Sequence, residues 1–255
     1  MFSIEDILKA TGATLVKRRQ GVSGRISGVS IDTRTIKKGE LFIAIKGSHF
    51  DGHDFIKEAI KKGAGCIAAS SFKSMGNVPR GTCSLIKVKD TLKALGDIAA
   101  FYRQDFRITA IGITGSNGKT TAKEITSDIL VKRYSLLKNR GTENNLVGLP
   151  LTLLRLKKHH EVAILEMGTN HLGEIARLTE ILDPKIGLIT NIGPSHLRFL
   201  KDKEGVLRAK RELPDRLGRG STLFLNGDDP LLSRLRPKCN VVRFGTNREN
   251  DFRAG

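Results

Sequence analysis

Residues 108–124, ITAIGITGSNGKTTAKE, constrain this chain more than any other stretch. A β-rich run ends at Thr114, glycines follow at positions 115 and 118, and Ile125 and Ile129 then fall four apart on a helix face. A strand, a glycine-rich loop and a helix in that order turn successive backbone N–H groups and a helix N-terminus toward an anion. Gly115, Ser116, Asn117, Gly118, Lys119, Thr120 and Thr121 form the expected cradle. Lys119 can reach the terminal phosphates of a nucleotide, and the Thr120 hydroxyl can ligate Mg2+. The spacing departs from the strict GxxxxGK[ST] pattern, because Ile113 stands five before Gly118. A ligand-free glycine turn is the bland alternative. The succession of strand, loop, Lys-Thr-Thr and helix favours ATP or a related nucleotide over it.

The residues downstream repeat strand then helix: VAILEMG, LGEIARLTEIL, KIGLITNI, KEGVLRAKREL and STLFLNG. Apolar strands alternating with helices of this length predict a parallel sheet covered on both faces, with ligands gathered at the carboxyl ends of the strands. Upstream, LFIAIKG and CIAAS are short apolar runs flanking a helical HDFIKEAIKKGA. Between these regions, DTLKALGDIAAFYRQ places Leu92, Leu95, Ile98, Ala99 and Tyr102 at helical spacing behind a capping Asp90. The fold class is therefore α/β: a small mixed α/β domain over 1–89, a linker helix over 90–106, and a P-loop parallel-sheet ATP-binding domain over 107–255.

Two further signals sit at predicted strand ends. Glu166 terminates the apolar run of VAILEMG, and an acid buried there needs a cation or hydrogen bonds to offset its desolvation. Mg2+ would supply that compensation; a carboxylate capping the following turn is the plainer alternative. ITNIGPSHL delivers Asn191 and His196 to the same edge. A lone histidine is more often structural than a ligand, so His196 gains weight only from sharing that edge with Glu166.

Composition narrows the class. The formal charge of +18 raises a polyanion partner, but Lys and Arg are spread along the chain and aromatics are only 5%, so no stacking platform accompanies them. A solvated basic surface that attracts a charged nucleotide-sugar fits better than a nucleic-acid groove. No window approaches the roughly 18 apolar residues of a membrane span, and the first residues carry two acids and no apolar leader core. Cys66, Cys83 and Cys239 are far apart and show neither zinc spacing nor a disulfide pattern. A cytoplasmic, monomeric, unprocessed protein is expected.

With these pieces in place, the sequence resembles the Mur ligase family, ATP-dependent ligases of peptidoglycan precursor synthesis. TGSNGKTTAKE is similar to that family's ATP loop, in which a Thr-Gly-x-Asn-Gly-Lys-Thr core replaces the strict spacing. RGTENNLVGLPLTLL resembles its active-site loop, with Asn144, Asn145 and Pro150 matching. Within the family, EMGTNHLGEIARLTEILDPKIGLITNIGPSHL looks most like the member that joins D-alanyl-D-alanine to UDP-N-acetylmuramoyl-tripeptide. The member adding the third residue usually shows a serine-rich stretch after the strand glutamate.

The resemblance implies that Thr33, Arg34, Lys46, Gly47, Asp51, Gly52 and His53 surround the uridine diphosphate end of the substrate, together with Asn144 nearer the reaction. It implies two Mg2+ ions, held by Thr120, Glu166, His196 and Lys210, the last as a carbamylated lysine, although Arg211 departs from the small residue common after it. Lys119, Asn145, His196 and Lys210 are then the catalytic set. The implied chemistry is phosphorylation of a substrate carboxylate by ATP to an acyl phosphate, followed by attack of the D-alanyl-D-alanine amine. Because the chain stops at NDFRAG soon after LNGDDP, the resemblance also leads one to expect an incomplete central domain, no C-terminal domain, and weak binding of UDP-substrate or ATP with little turnover by these 255 residues alone. Another Mur ligase is the nearest alternative. A basic P-loop NTPase driven by nucleic acid is the rival from a different class, and it predicts steeply salt-dependent nucleic-acid binding.

Overall fold

The computed structural model describes residues 2–18, 25–73, 83–195 and 197–254, and the chain divides into two compact units between Tyr102 and Arg103. The first unit opens with β1 (Phe2–Ser3) and α1 (Ile4–Thr11). The helix starts at a capping box: the Ser3 hydroxyl accepts the Asp6 N–H at 3.1 Å, and the Asp6 carboxylate accepts the Ser3 N–H at 2.7 Å. The chain continues through β2 (Thr14–Lys17), β3 (Arg25–Ile26), β4 (Val29–Ser30), β5 (Leu41–Ile43), a single 3-10 turn at Gly52–Phe55, α2 (Ile56–Lys61), β6 (Cys66–Ala69), β7 (Ser84–Lys87) and α3 (Thr91–Arg103).

Five strands of this unit form a sheet in the order β2-β7-β6-β5-β4, parallel except where β2 runs against β7. The small β1–β3 pair stands apart from it. Phe42, Ile67 and Leu85 on one sheet face pack with Ile56 and Ala59 of α2, so alternation along the strands and the helix's inner face fill one core. Asp90 accepts the Lys93 N–H at 2.9 Å and so starts α3, which buries Leu95, Ile98, Ala99 and Tyr102. The contact boundary falls at the C-terminal end of this helix, so α3 belongs to the first unit and is not a separate linker.

The second unit contains β8 (Thr109–Thr114), α4 (Lys119–Leu130), β9 (Leu136–Lys138), α5 (Gly148–Leu153), β10 (Val162–Glu166), α6 (Glu174–Leu182), β11 (Ile186–Ile189), α7 (Leu197–Leu200), α8 (Lys203–Arg216), β12 (Thr222–Asn226), β13 (Asn240–Gly245) and β14 (Phe252–Arg253). The seven strands lie in the order β14-β13-β12-β11-β8-β10-β9, every pair parallel. The connections leave β8 toward β9 and β10 on one side and resume at β11 on the other. The crevice beyond the carboxyl end of β8 is therefore the switch point where ligands of such sheets collect.

α4 covers one face, where Ala122 and Leu130 pack on Ile111, Ile113, Val162 and Ile164. α6 and α8 cover the other: Leu182 meets the backbone of Gly112, and Leu213 that of Gly187. Helices therefore lie on both faces, as the sequence predicts. On the α4 side, Leu188, Phe224 and Val242 share one row with Ile113 and are partly buried. The expected apolar face of α4 is reversed: Ile125 and Ile129 are 56% and 62% exposed, and the helix buries Lys123 and Ser127 instead.

Candidate nucleotide and metal site

The phosphate loop sits between β8 and α4, and two backbone facts explain its glycines. Gly118 adopts φ 74°, a left-handed conformation that disfavours any residue with a Cβ. Gly115 adopts φ 144° and lies so close to β11's exit that a Cβ would overlap Thr190 Oγ1. The first intrahelical bond of α4 runs from the Ala122 N–H to the Gly118 carbonyl at 2.9 Å, so the N–H groups of the preceding turn face out of the helix N-terminus toward an anion.

The segment after β11 holds this loop in place. Asn191 Oδ1 accepts the Asn117 N–H at 3.0 Å, and the Asn191 carbonyl accepts the Ser116 N–H at 3.0 Å. Ser116 Oγ and Gly193 exchange two bonds of 2.9 Å, one through the Gly193 carbonyl and one through its N–H. Behind them, the buried Asp229 accepts the Ile192 N–H at 2.7 Å. Asn191, expected at the ligand edge, is thus used to brace the loop. Asp229 is a site-supporting residue that sequence reasoning missed, and its only signal was the strand-end run LNGDDP.

Glu166 ends β10 at the same edge with 3% of its surface exposed. Both carboxylate oxygens are occupied: Oε2 accepts the Thr120 hydroxyl at 2.6 Å, and Oε1 accepts the Asn144 side-chain amide at 2.8 Å. The Thr120 hydroxyl and the Glu166 carboxylate, joined by this hydrogen bond, are hard oxygen ligands of the kind Mg2+ takes, and they are the residues that would hold it. No set of three His, Cys, Asp or Glu side chains converges among the described residues, so phosphate oxygens and water would complete the shell.

Lys119 curls over its own loop, donating to the carbonyls of Gly115 at 2.9 Å and Ser116 at 3.1 Å. Burial pushes its pKa down, against an opposing pull from Glu166. Lys210 on α8 is 1% exposed, and burial, then repulsion from Lys119, lowers its pKa from 10.5 to about 8. Its helix is fixed by the neighbouring Glu212, which accepts N–H groups of Gly173 at 2.6 Å and Ala176 at 2.9 Å at the start of α6.

The structure therefore brings Lys119, Thr120, Asn144, Glu166 and Lys210 to one edge. Asn145 is differently engaged: its Oδ1 accepts the N–H groups of Val147 at 3.0 Å and Gly148 at 2.9 Å, which starts α5. Its expected catalytic use competes with that capping role. Ser116 is buried, while Asn117, Gly118, Thr120 and Thr121 are exposed around the loop. His196 lies outside the described residues.

The residues expected at the uridine diphosphate end lie in the first unit. Arg34 makes a fork to Asp32, with bonds of 2.9 Å from Nε and 2.6 Å from Nη2, and its side chain is 85% exposed. That guanidinium holds the Asp32 carboxyl below its ordinary range. Thr33 is buried, and its carbonyl accepts Lys62 Nζ at 2.9 Å. In the following loop the Gly47 N–H meets the Phe50 carbonyl at 2.9 Å, and Lys46 Nζ stands 4.0 Å from Asp51. Asp51 accepts both the N–H and the Nδ1 of His53, at 3.0 and 2.6 Å, and the first of these chiefly lowers its pKa. His53 Nε2 accepts the Ser70 N–H at 3.1 Å, which places the ring proton on Nδ1. A Cβ at Gly52 would collide with the backbone of Ile45 at 2.7 Å. Asp51, Gly52 and His53 thus shape the loop, and Arg34 and Lys46 are the residues that present positive charge.

A phosphate loop at the switch point of a parallel sheet, with a strand-end acid bonded to its threonine, defines a P-loop nucleotide-binding α/β protein. Residues 113–255 match the Mur ligase middle domain and residues 25–103 the Mur ligase family catalytic domain. The chain belongs to the Mur ligase family. It is 40% identical over 227 residues to the UDP-N-acetylmuramoyl-tripeptide–D-alanyl-D-alanine ligase of Bacillus subtilis (strain 168), covering 89% of this chain and 49% of that protein. A crystal structure of MurF from Acinetobacter baumannii superposes with a TM-score of 0.87 at 28% identity, over 98% of this chain and 54% of that one. The MurF ligase from Thermotoga maritima, solved in complex with ADP, gives 0.79 at 32% identity over 91% and 51%. The chain spans about half the length of the curated relatives it matches.

Proposed function

We propose that this chain carries the nucleotide-binding and UDP-substrate-binding parts of an ATP-dependent ligase that joins D-alanyl-D-alanine to UDP-N-acetylmuramoyl-tripeptide. The observation that carries the reading is the Thr120–Glu166 pair at 2.6 Å beside Lys119, at the mouth of a glycine loop. The relatives' activity and the ADP bound by the Thermotoga maritima protein support it. A substrate carboxylate oxygen attacks the γ-phosphorus of ATP, and ADP leaves. The D-alanyl-D-alanine amine then attacks the acyl carbon, losing a proton as phosphate departs.

In this scheme Lys119 swings from the Gly115 and Ser116 carbonyls to the terminal phosphates, and the loop N–H groups hold the phosphate oxygens. Mg2+ bound between Thr120 and Glu166 would neutralise charge on the transferring phosphoryl group. Asn144 keeps Glu166 oriented through its 2.8 Å bond. We assign Arg34 and Lys46 to the substrate's diphosphate.

Lys210 suits carbamylation, because burial lowers its pKa to about 8 and so makes the neutral, reactive amine far more available near neutral pH than in an ordinary lysine. The amine nitrogen would bond to the carbon of CO2 and release one proton, leaving an anion. With His196, that anion is the proposed holder of a second Mg2+. We further propose a monomer acting in the cytoplasm; no helix among the described residues is long and apolar enough to cross a membrane.

Ligand-dependent melting tests the reading. UDP-N-acetylmuramoyl-tripeptide and MgATP should each raise the melting temperature, as expected for ligands that bind only the folded state. Lys119→Ala should abolish the ATP response and leave the UDP-peptide response intact. Stabilisation by nucleic acid with a steep salt dependence, and none by the UDP-peptide, would replace this reading with the NTPase alternative.

A further inference from the structure

We infer that Lys123 and Asn139 are positioning residues for Glu166, coupling the phosphate-loop helix to the strand-end acid and to the loop that carries Asn144. The inference rests on the nucleotide reading above. Lys123 is 0% exposed on the sheet-facing side of α4, where an apolar side chain would serve packing alone. Its Nζ donates to the Asn139 carbonyl at 2.8 Å and lies 3.0 Å from Glu124 Oε1, while Glu124 also pairs with Lys138.

Asn139 is 1% exposed and stands where β9 stops pairing with β10. The last main-chain partners are Lys138 and Ile164, yet Glu166 still has its backbone satisfied, because the Asn139 amide takes over. Asn139 Oδ1 accepts the Glu166 N–H at 3.0 Å, and Nδ2 donates to the Glu166 carbonyl at 3.0 Å and to the Glu143 carbonyl at 2.9 Å. The side chain thus imitates a strand while the main chain departs into residues 140–145. Glu143 anchors that departing loop, accepting the Arg140 N–H at 3.1 Å, the Thr152 hydroxyl at 3.1 Å and Arg155 Nη2 at 2.8 Å.

α4 therefore grips the acid at two levels. Thr120 holds its carboxylate, and Lys123, through Asn139, holds its main chain. Partners of this kind orient metal-binding carboxylates, and losing them commonly weakens metal binding about 10–100-fold.

The test measures ATP affinity of the 255-residue chain calorimetrically, in excess Mg2+ and in EDTA, for wild type, Lys123→Met and Asn139→Ala. The quantity read is the ratio of the two affinities. Both variants should lose about tenfold in that ratio, with EDTA affinity close to wild type. An unchanged ratio in either folded variant, even with a lowered melting temperature, overturns the inference and makes the pair simple packing. If neither variant folds by circular dichroism, the pair is a folding element and the inference is likewise lost. Absence of any Mg2+-dependent nucleotide binding in wild type would instead sink the nucleotide reading, and this inference with it.

Discussion

Lys123 on α4 and Lys210 on α8 are 0% and 1% exposed in the same unit, yet they are held in opposite ways. Lys123 meets a carbonyl at 2.8 Å and a carboxylate oxygen at 3.0 Å. Lys210 has neither a hydrogen bond nor an ion pair to any described residue, and burial with repulsion from Lys119 outweighs the longer-range attraction of Glu166, Glu174 and Glu212. Burial alone penalises both charges; partners decide what becomes of each. A paired lysine serves as an anchor. An unpaired one tends to lose its proton, which is the condition an amine needs to react with CO2. Burial of a lysine is thus no guide to its use until its partners are known.

That contrast can be broken by experiment, beginning with the largest effect. Lys210→Met, in CO2-free buffer at pH 7, should stabilise the fold by on the order of 3 kcal/mol, the equivalent of a pKa lowered from 10.5 to about 8. Denaturant unfolding measures it, and a loss of stability would show that Lys210 has a favourable partner after all. The same shift fixes a pH dependence. Between about pH 8 and 10.5 the unfolded chain holds a proton on this lysine that the folded chain does not. Wild-type stability should therefore rise with pH across that window, with the penalty fully present below it. Lys210→Met should flatten this rise.

Lys123→Met should destabilise the protein by about 1–3 kcal/mol, the cost of stranding a buried carbonyl at Asn139. If both methionine variants moved stability in one direction, the distinction between the two lysines would fail. The smallest effect belongs to the outer side of the same helix. Ile129→Gln, at a position 62% exposed, should change unfolding free energy by less than about 0.5 kcal/mol. A larger loss would mean that this face is covered in solution.

Much of the second unit was legible before the structure. Six consecutive β-rich residues, then glycines, then Lys119 and Thr120 placed the phosphate loop correctly between β8 and α4. Glu166 stood out because an acid interrupting an apolar strand needs a partner, and that partner is the Thr120 hydroxyl. Helical periodicity failed on α4, because Ile125 and Ile129 mark a face that points outward while Lys123 and Ser127 point in. The spacing of 119, 123 and 127 by four was the signal available, but lysine and serine carry none of the hydrophobic weight that such patterns read. Asn139, Asn191 and Asp229 were equally hard to interpret, since each acts on residues 27 or more positions away.

By itself the sequence determined the elements and the reactive types: where strands end, which loop must be glycine, which lysine and threonine follow it. These are local properties, governed by backbone sterics and by chemistry within a few residues. Only the tertiary structure decided what each polar side chain is for. It set Glu166 between Thr120 and Asn144, turned Asn145 to the cap of α5, paired Lys123 and buried Lys210 near Lys119. The reason is that desolvation and pairing depend on which distant groups fold alongside a residue, and no local pattern encodes that company.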